Sequence, residues 1–187
     1  MLRINLSFKK FDNYDVLYSL IYVTHKPMNP LNIFKCYCDA SFHSPSKTAV
    51  VGWQIGNNPI KIIIIHNTNN TRAEILGFID MTKNFNSQHH YVIYTDCLTI
   101  VNRLKIREEL IKNNFSKKHG QKSLANADLY KKLFESVGPN IEVVHIPGHM
   151  PGQQMNADNQ MFSKVDKLVR KKLRELVKRR GINSKTL

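Results

Sequence analysis

The chain has 187 residues, 28 of them Lys or Arg and 14 Asp or Glu, for a formal net charge of +14. Such a length supports a single core, burying roughly two-thirds of the unfolded surface without help from disulfides or a structural metal. The cationic excess is spread over several segments and points to a polyanionic partner, while no apolar run approaches the ~20 residues that a membrane span needs.

Residues 1–32 are weakly periodic and end in His25-Lys26-Pro27-Met28-Asn29-Pro30, whose prolines disfavour regular structure. Val16, Leu17, Leu20 and Ile21 can form a small apolar face, so this extension is expected to pack on the domain that follows. Residues 2–6 are too short and charged for a secretion signal, and residues 16–23 are followed by no small-residue cleavage site. Cys36, Cys38 and Cys97 form no complete zinc set and are expected as buried thiols of a reducing compartment. A soluble, cytoplasmic, monomeric protein is the expectation, with no membrane partner.

Three strand-like runs follow. The first ends at Tyr37-Cys38-Asp39-Ala40-Ser41, and Ser44-Pro45-Ser46-Lys47 turns the chain into the second, Ala49-Val50-Val51-Gly52-Trp53-Gln54-Ile55. Asn57-Asn58-Pro59 then precedes a third run built on Ile62-Ile63-Ile64-Ile65. Asp39 lies among apolar neighbours, where a buried anion is costly unless it is paired or bound to a metal. Thr71-Arg72-Ala73-Glu74 opens a helix, Tyr91-Val92-Ile93-Tyr94-Thr95-Asp96 is a strand ending in a second acid, and Thr99 to Leu104 form the next helix.

Residues 112–122 carry several cations and one aromatic, Phe115, and suit a phosphate-contacting rim containing Lys117 and Lys118 better than a core. A helix starts within residues 123–130, and a last strand, residues 141–146, leads to Pro147-Gly148-His149. Phe162, Val165, Leu168, Val169, Leu173 and Leu176 define a terminal amphipathic helix with a cationic opposite face. The expected architecture is α/β: a mixed five-stranded sheet, three antiparallel strands then parallel ones, with helices on both faces.

An acid followed by Ala40-Ser41, the Thr71-Arg72-Ala73-Glu74 helix, the Tyr94-Thr95-Asp96 strand end, the Gly148-His149 loop and a late acid on a helix occur here in one order. In this the chain resembles ribonuclease H of the type 1 family, over residues 33–176. Residues 1–32 and a basic tail, 177–187, fall outside the resemblance. It implies an endonuclease that hydrolyses the RNA strand of RNA–DNA hybrids to 5′-phosphate and 3′-hydroxyl ends with two metal ions. Asp39, Glu74, Asp96 and the late acid would be the metal ligands. For the late acid, Asp166 in Val165-Asp166-Lys167-Leu168-Val169-Arg170 matches the family's helix start better than Asp158, with a lengthened loop over residues 150–161.

An acid cluster without matching Cys or His residues favours Mg²⁺, or Mn²⁺ as the alternative, over zinc. By the same resemblance His149 assists proton transfer or product release, and Asn126 contacts substrate. Ser41, Thr71 and Arg72 are candidates for reading 2′-hydroxyls across a shallow minor groove. Two other readings stay open: a nuclease of this fold acting on DNA, as resolvases and transposases do, and a non-catalytic hybrid-binding module.

Overall fold

The computed structural model describes residues 10–11, 14–15, 32–116, 122–148 and 150–179. The chain divides into two units, Met1–Leu31 and Asn32–Leu187. In the first, the short strand Lys10–Phe11 pairs antiparallel with Tyr14–Asp15. The apolar face expected at Val16, Leu17, Leu20 and Ile21 lies outside the described residues.

The second unit is built on strands β1 (Ile33–His43), β2 (Thr48–Ile55), β3 (Lys61–Ile65), β4 (His90–Thr95) and β5 (Ile141–His145). They form one sheet in the order β3-β2-β1-β4-β5. The β1–β2 and β2–β3 pairs are antiparallel, and the β1–β4 and β4–β5 pairs are parallel. Helices α1 (Asn70–Thr82), α2 (Leu98–Lys105), α3 (Arg107–Lys112), α4 (Ala127–Ser136) and α5 (Ala157–Arg179) complete the unit. No helix among the described residues is long and apolar enough to cross a membrane.

The alternation of side chains along a strand divides the core. Cys36 and Cys38 of β1 join Val51, Ile75, Phe78, Ile93 and Leu133 in the cluster that α1 to α4 cover. Tyr37, Val50, Val165, Val169 and Leu173 form the second cluster, beneath α5. Two glycines set the approach of the helices to β2. A Cβ on Gly77 would clash with Val51 Cγ1, and one on Gly52 would lie 2.5 Å from Val169 Cγ1. α1 and α5 therefore both pack against this strand at distances only a hydrogen allows.

Three departures from the sequence expectations have local causes. Phe115 is buried and lies 5.7 Å from the ring of Phe134, not on a rim. Two successive left-handed residues, Asn114 (φ 48°) and Phe115 (φ 56°), turn the chain back on α3, and the Phe115 N–H donates to the Leu110 carbonyl at 2.7 Å. The expected loop over residues 150–161 is shorter, because α5 already starts at Ala157. Asn156 Oδ1 accepts from the Asn159 N–H at 2.9 Å and Asn159 Oδ1 accepts from the Asn156 N–H at 3.3 Å, a reciprocal cap that lengthens the helix. At the other end α5 runs on to Arg179 with Val177 buried, so the first three residues of the basic tail are helical.

Candidate active site

Three elements bring three acids together. Asp39 sits on the central strand β1, opposite Gly52. Glu74 is on α1, whose N-terminus is fixed by Asn69 Oδ1 accepting from the Arg72 N–H at 3.0 Å. Asp96 follows the end of β4, directly before Cys97 and α2. Each offers a carboxylate oxygen within 4.8 Å of the others'. Asp39 and Glu74 are each only 4% exposed, and Asp39 Oδ2 and Glu74 Oε2 are buried without a hydrogen-bond partner.

That arrangement is electrostatically expensive. Burial, then the charges of Asp96 and Asp166, push the Asp39 carboxyl up to about 8, against the opposing Ala40 backbone hydrogen bond and the Arg170 charge. Burial and the charges of Asp39 and Asp96 hold Glu74 well above the ordinary range, against a hydrogen bond from the same backbone. Burying unpartnered carboxylates this close together is stabilised only by protons or by a cation. The donor set is all oxygen, as Mg²⁺ or Mn²⁺ prefers. Burial also drives the neighbouring Cys97 thiol up to about 11 and that of Cys38 well above its ordinary value.

Asp166 lines the same cleft, about 490 Å³ in volume, as Asp39, Glu74 and Asp96. It is ion-paired with Arg170 one turn further along α5, at 2.6 Å. Asp158 lies two turns earlier on that helix and lines neither this cleft nor its neighbour. Its carboxylate accepts from Lys35 Nζ at 2.9 Å and from Tyr37 Oη at 2.8 Å. Burial works to raise the Asp158 carboxyl, but hydrogen bonds from Lys35, Tyr37 and Tyr94 outweigh it and leave the group lowered. Asp158 thus ties α5 to β1, while Asp166 faces the acids.

Ser41 and Thr71 line the acid cleft. Arg72 turns away from it toward α4. Its guanidinium donates to Asn126 Oδ1 at 3.0 Å and, through both terminal nitrogens, to Asp128 at 3.2 and 3.0 Å. Asn126 adopts a left-handed conformation (φ 66°) at the start of α4, its amide oxygen held by Arg72. Lys117, Lys118 and His149 lie outside the described residues.

The sequence reading left three residues of the site without a role. Arg170 was read only as the end of the motif that begins at Asp166 and as a cation of the helix's polar face, although its spacing of four from Asp166 on a helix is an ion-pair signal. Leu98, 55% exposed, is an apolar ledge on the cleft wall beside Asp96. A Cβ on Gly148 would lie 2.8 Å from Asp96 Oδ2, so the absence of a side chain there leaves that carboxylate its place.

The sheet order and the carboxylates gathered on it define an acid-centred α/β domain. The family model of RNase H matches residues 32–174, and the chain belongs to that family. No curated protein sequence matches the chain closely enough to count as a relative.

Proposed function

We propose that this chain is a divalent-metal-dependent endonuclease that hydrolyses the RNA strand of RNA–DNA hybrids, leaving 5′-phosphate and 3′-hydroxyl ends. One observation carries the reading beyond family membership: the cluster of Asp39, Glu74 and Asp96, with two buried carboxylate oxygens that no protein group satisfies. Asp39, Glu74, Asp96 and Asp166 would hold two ions. Such ions, when bound, acidify a water, neutralise the scissile phosphate and stabilise the leaving oxygen.

The chain's own groups do the rest. β1, α1 and α5 fix the carboxylates on packed elements, so little reorganisation accompanies loading. Arg170 balances Asp166 and presents a cation at the cleft. Ser41 and Thr71 supply small hydroxyls on the cleft wall, suited to 2′-hydroxyls in a shallow minor groove. Arg72 contributes by holding Asn126 against α1, which makes Asn126 the better substrate contact of the pair. His149, next to Gly148, is the proposed proton-transfer group, with Lys117 and Lys118 as phosphate contacts.

The test is an end-labelled RNA–DNA hybrid beside matched RNA and DNA duplexes, each with Mg²⁺, Mn²⁺ or chelator. Metal-dependent cutting of the hybrid's RNA strand alone is the expected result. Cutting of DNA alone would leave the fold and replace the substrate, and tight hybrid binding without cutting in either metal would make the chain a binding module.

A further inference from the structure

Two clefts open from the acid cluster. The second, about 520 Å³, shares Asp96, Asp166 and Arg170 with the first and continues along α5. Its lining combines Met150, Met155 and Phe162 with Lys167, Arg170 and Arg174. The three cations follow one another by three and four residues, so they form one stripe of the helix. That stripe spans roughly 10 Å of helix axis. Lys167 and Arg174 are exposed, and neither has an acidic partner among the described residues. Carboxylates thus stand at the inner end of this cleft and uncommitted cations further out.

We infer that the second cleft binds an unpaired stretch of the strand being cut, with phosphates along Lys167, Arg170 and Arg174 and a base over Met150 and Met155, which the buried Phe162 backs. The volume is that of a small-ligand site, room for a nucleotide or two. An apolar lining rewards a base whose face is free, which an unpaired nucleotide offers and a stacked pair does not. A backbone that passes the acids can run straight onto the cationic stripe, because the two clefts share Asp96 and Asp166. The inference rests on the nuclease reading of the acid cluster and narrows its substrate to hybrids whose RNA strand continues as a single strand beyond the duplex.

The full-length protein is tested on four hybrids with the same duplex: blunt, with a 5′ RNA overhang, with a 3′ RNA overhang, and with a DNA-strand overhang. Cleavage kinetics in Mg²⁺ are run beside fluorescence anisotropy of the Asp39→Asn protein, which reports binding whether or not the chain cuts. One RNA overhang should lower both KM and Kd about fivefold or more against the blunt hybrid. The double variant Lys167→Gln, Arg174→Gln should erase that advantage and leave blunt-hybrid KM and kcat unchanged. Equal KM and Kd for blunt and RNA-overhang hybrids would overturn the inference, as would an advantage confined to the DNA-strand overhang. An RNA-overhang preference in binding with no cutting of any hybrid would instead overturn the nuclease reading and leave the strand-binding cleft standing.

Discussion

Asp39 and Glu74 each present a carboxylate oxygen within 4.8 Å of the other's, and each keeps one oxygen buried without a hydrogen-bond partner. The pair is therefore a source of instability that only protonation or a cation relieves. Asp39→Asn should lower metal-dependent cleavage by about a hundredfold or more, since a bound ion loses an anionic ligand. In chelator the same change should raise Tm by several degrees, at roughly 2–4 °C per kcal/mol for a chain of this size. Calorimetry of both proteins in chelator checks the second half, and an unchanged or lowered Tm would contradict the account of the buried pair.

The pH dependence of the metal-free protein follows in sign. The Asp39 carboxyl moves from an ordinary 3.8 to about 8 in the fold, and Glu74 also moves upward. The folded state thus binds the extra protons, and its stability is full below the unfolded pKa and is lost as pH rises through the folded one. Taken alone the Asp39 shift corresponds to roughly 6 kcal/mol, an upper figure because the neighbouring acids are coupled to it. In chelator, this contribution to Tm should fall between about pH 4 and pH 8. Mg²⁺ should flatten that fall, and Asp39→Asn should remove most of it; a fall unaffected by either would place its origin elsewhere in the molecule.

The two candidates for the fourth acid separate cleanly. Asp166 lines the acid cleft, whereas Asp158 is held by Lys35 and Tyr37. Asp166→Asn should cost about a hundredfold or more in cleavage with little loss of stability. Asp158→Asn removes a partly exposed ion pair, worth about 0–1 kcal/mol, and should leave kcat within about threefold of the parent. Steady-state kinetics and thermal melts on both variants decide it; the reverse ranking of kcat would move the metal site toward the N-terminus of α5.

Gly148→Ala tests how closely the segment after β5 approaches the site. The new methyl carbon would stand 2.8 Å from Asp96 Oδ2, and a carboxylate on a short side chain can yield only by leaving its position. A loss of about tenfold in kcat or in apparent metal affinity is expected, with Tm shifted by only a degree or two. Titration of activity against Mg²⁺ measures it, and a variant indistinguishable from the parent would show that Asp96 has slack.

Much of the fold was legible because apolar runs of strand length lead into Asp39, after which β1 continues to His43, and into Asp96, and because Ser44 to Lys47 and Asn57-Asn58-Pro59 punctuate the first three strands. The start of α5 was not, since its cap is a reciprocal Asn156–Asn159 pair in which asparagine stands where Glu or Gln usually signals a capping box. Phe115 was misplaced because a cationic neighbourhood says nothing of a chain reversal made by two left-handed residues. The four candidate acids could be named from spacing and resemblance. Their environment could not, because the orphaned oxygens of Asp39 and Glu74 and the ion pair of Asp166 depend on how α1 and α5 lie against β1.

The reciprocal cap has one more consequence. By starting α5 at Ala157 it gives Asp158 the first turn, where the helix's exposed N–H groups and its dipole favour negative charge. Asp166, the tenth residue of the helix, stands beyond the reach of that field, which fades within the first turn. Its charge is left to Arg170 and to whatever cation enters the cleft, so the helix lends this carboxylate a rigid place and no electrostatic support of its own.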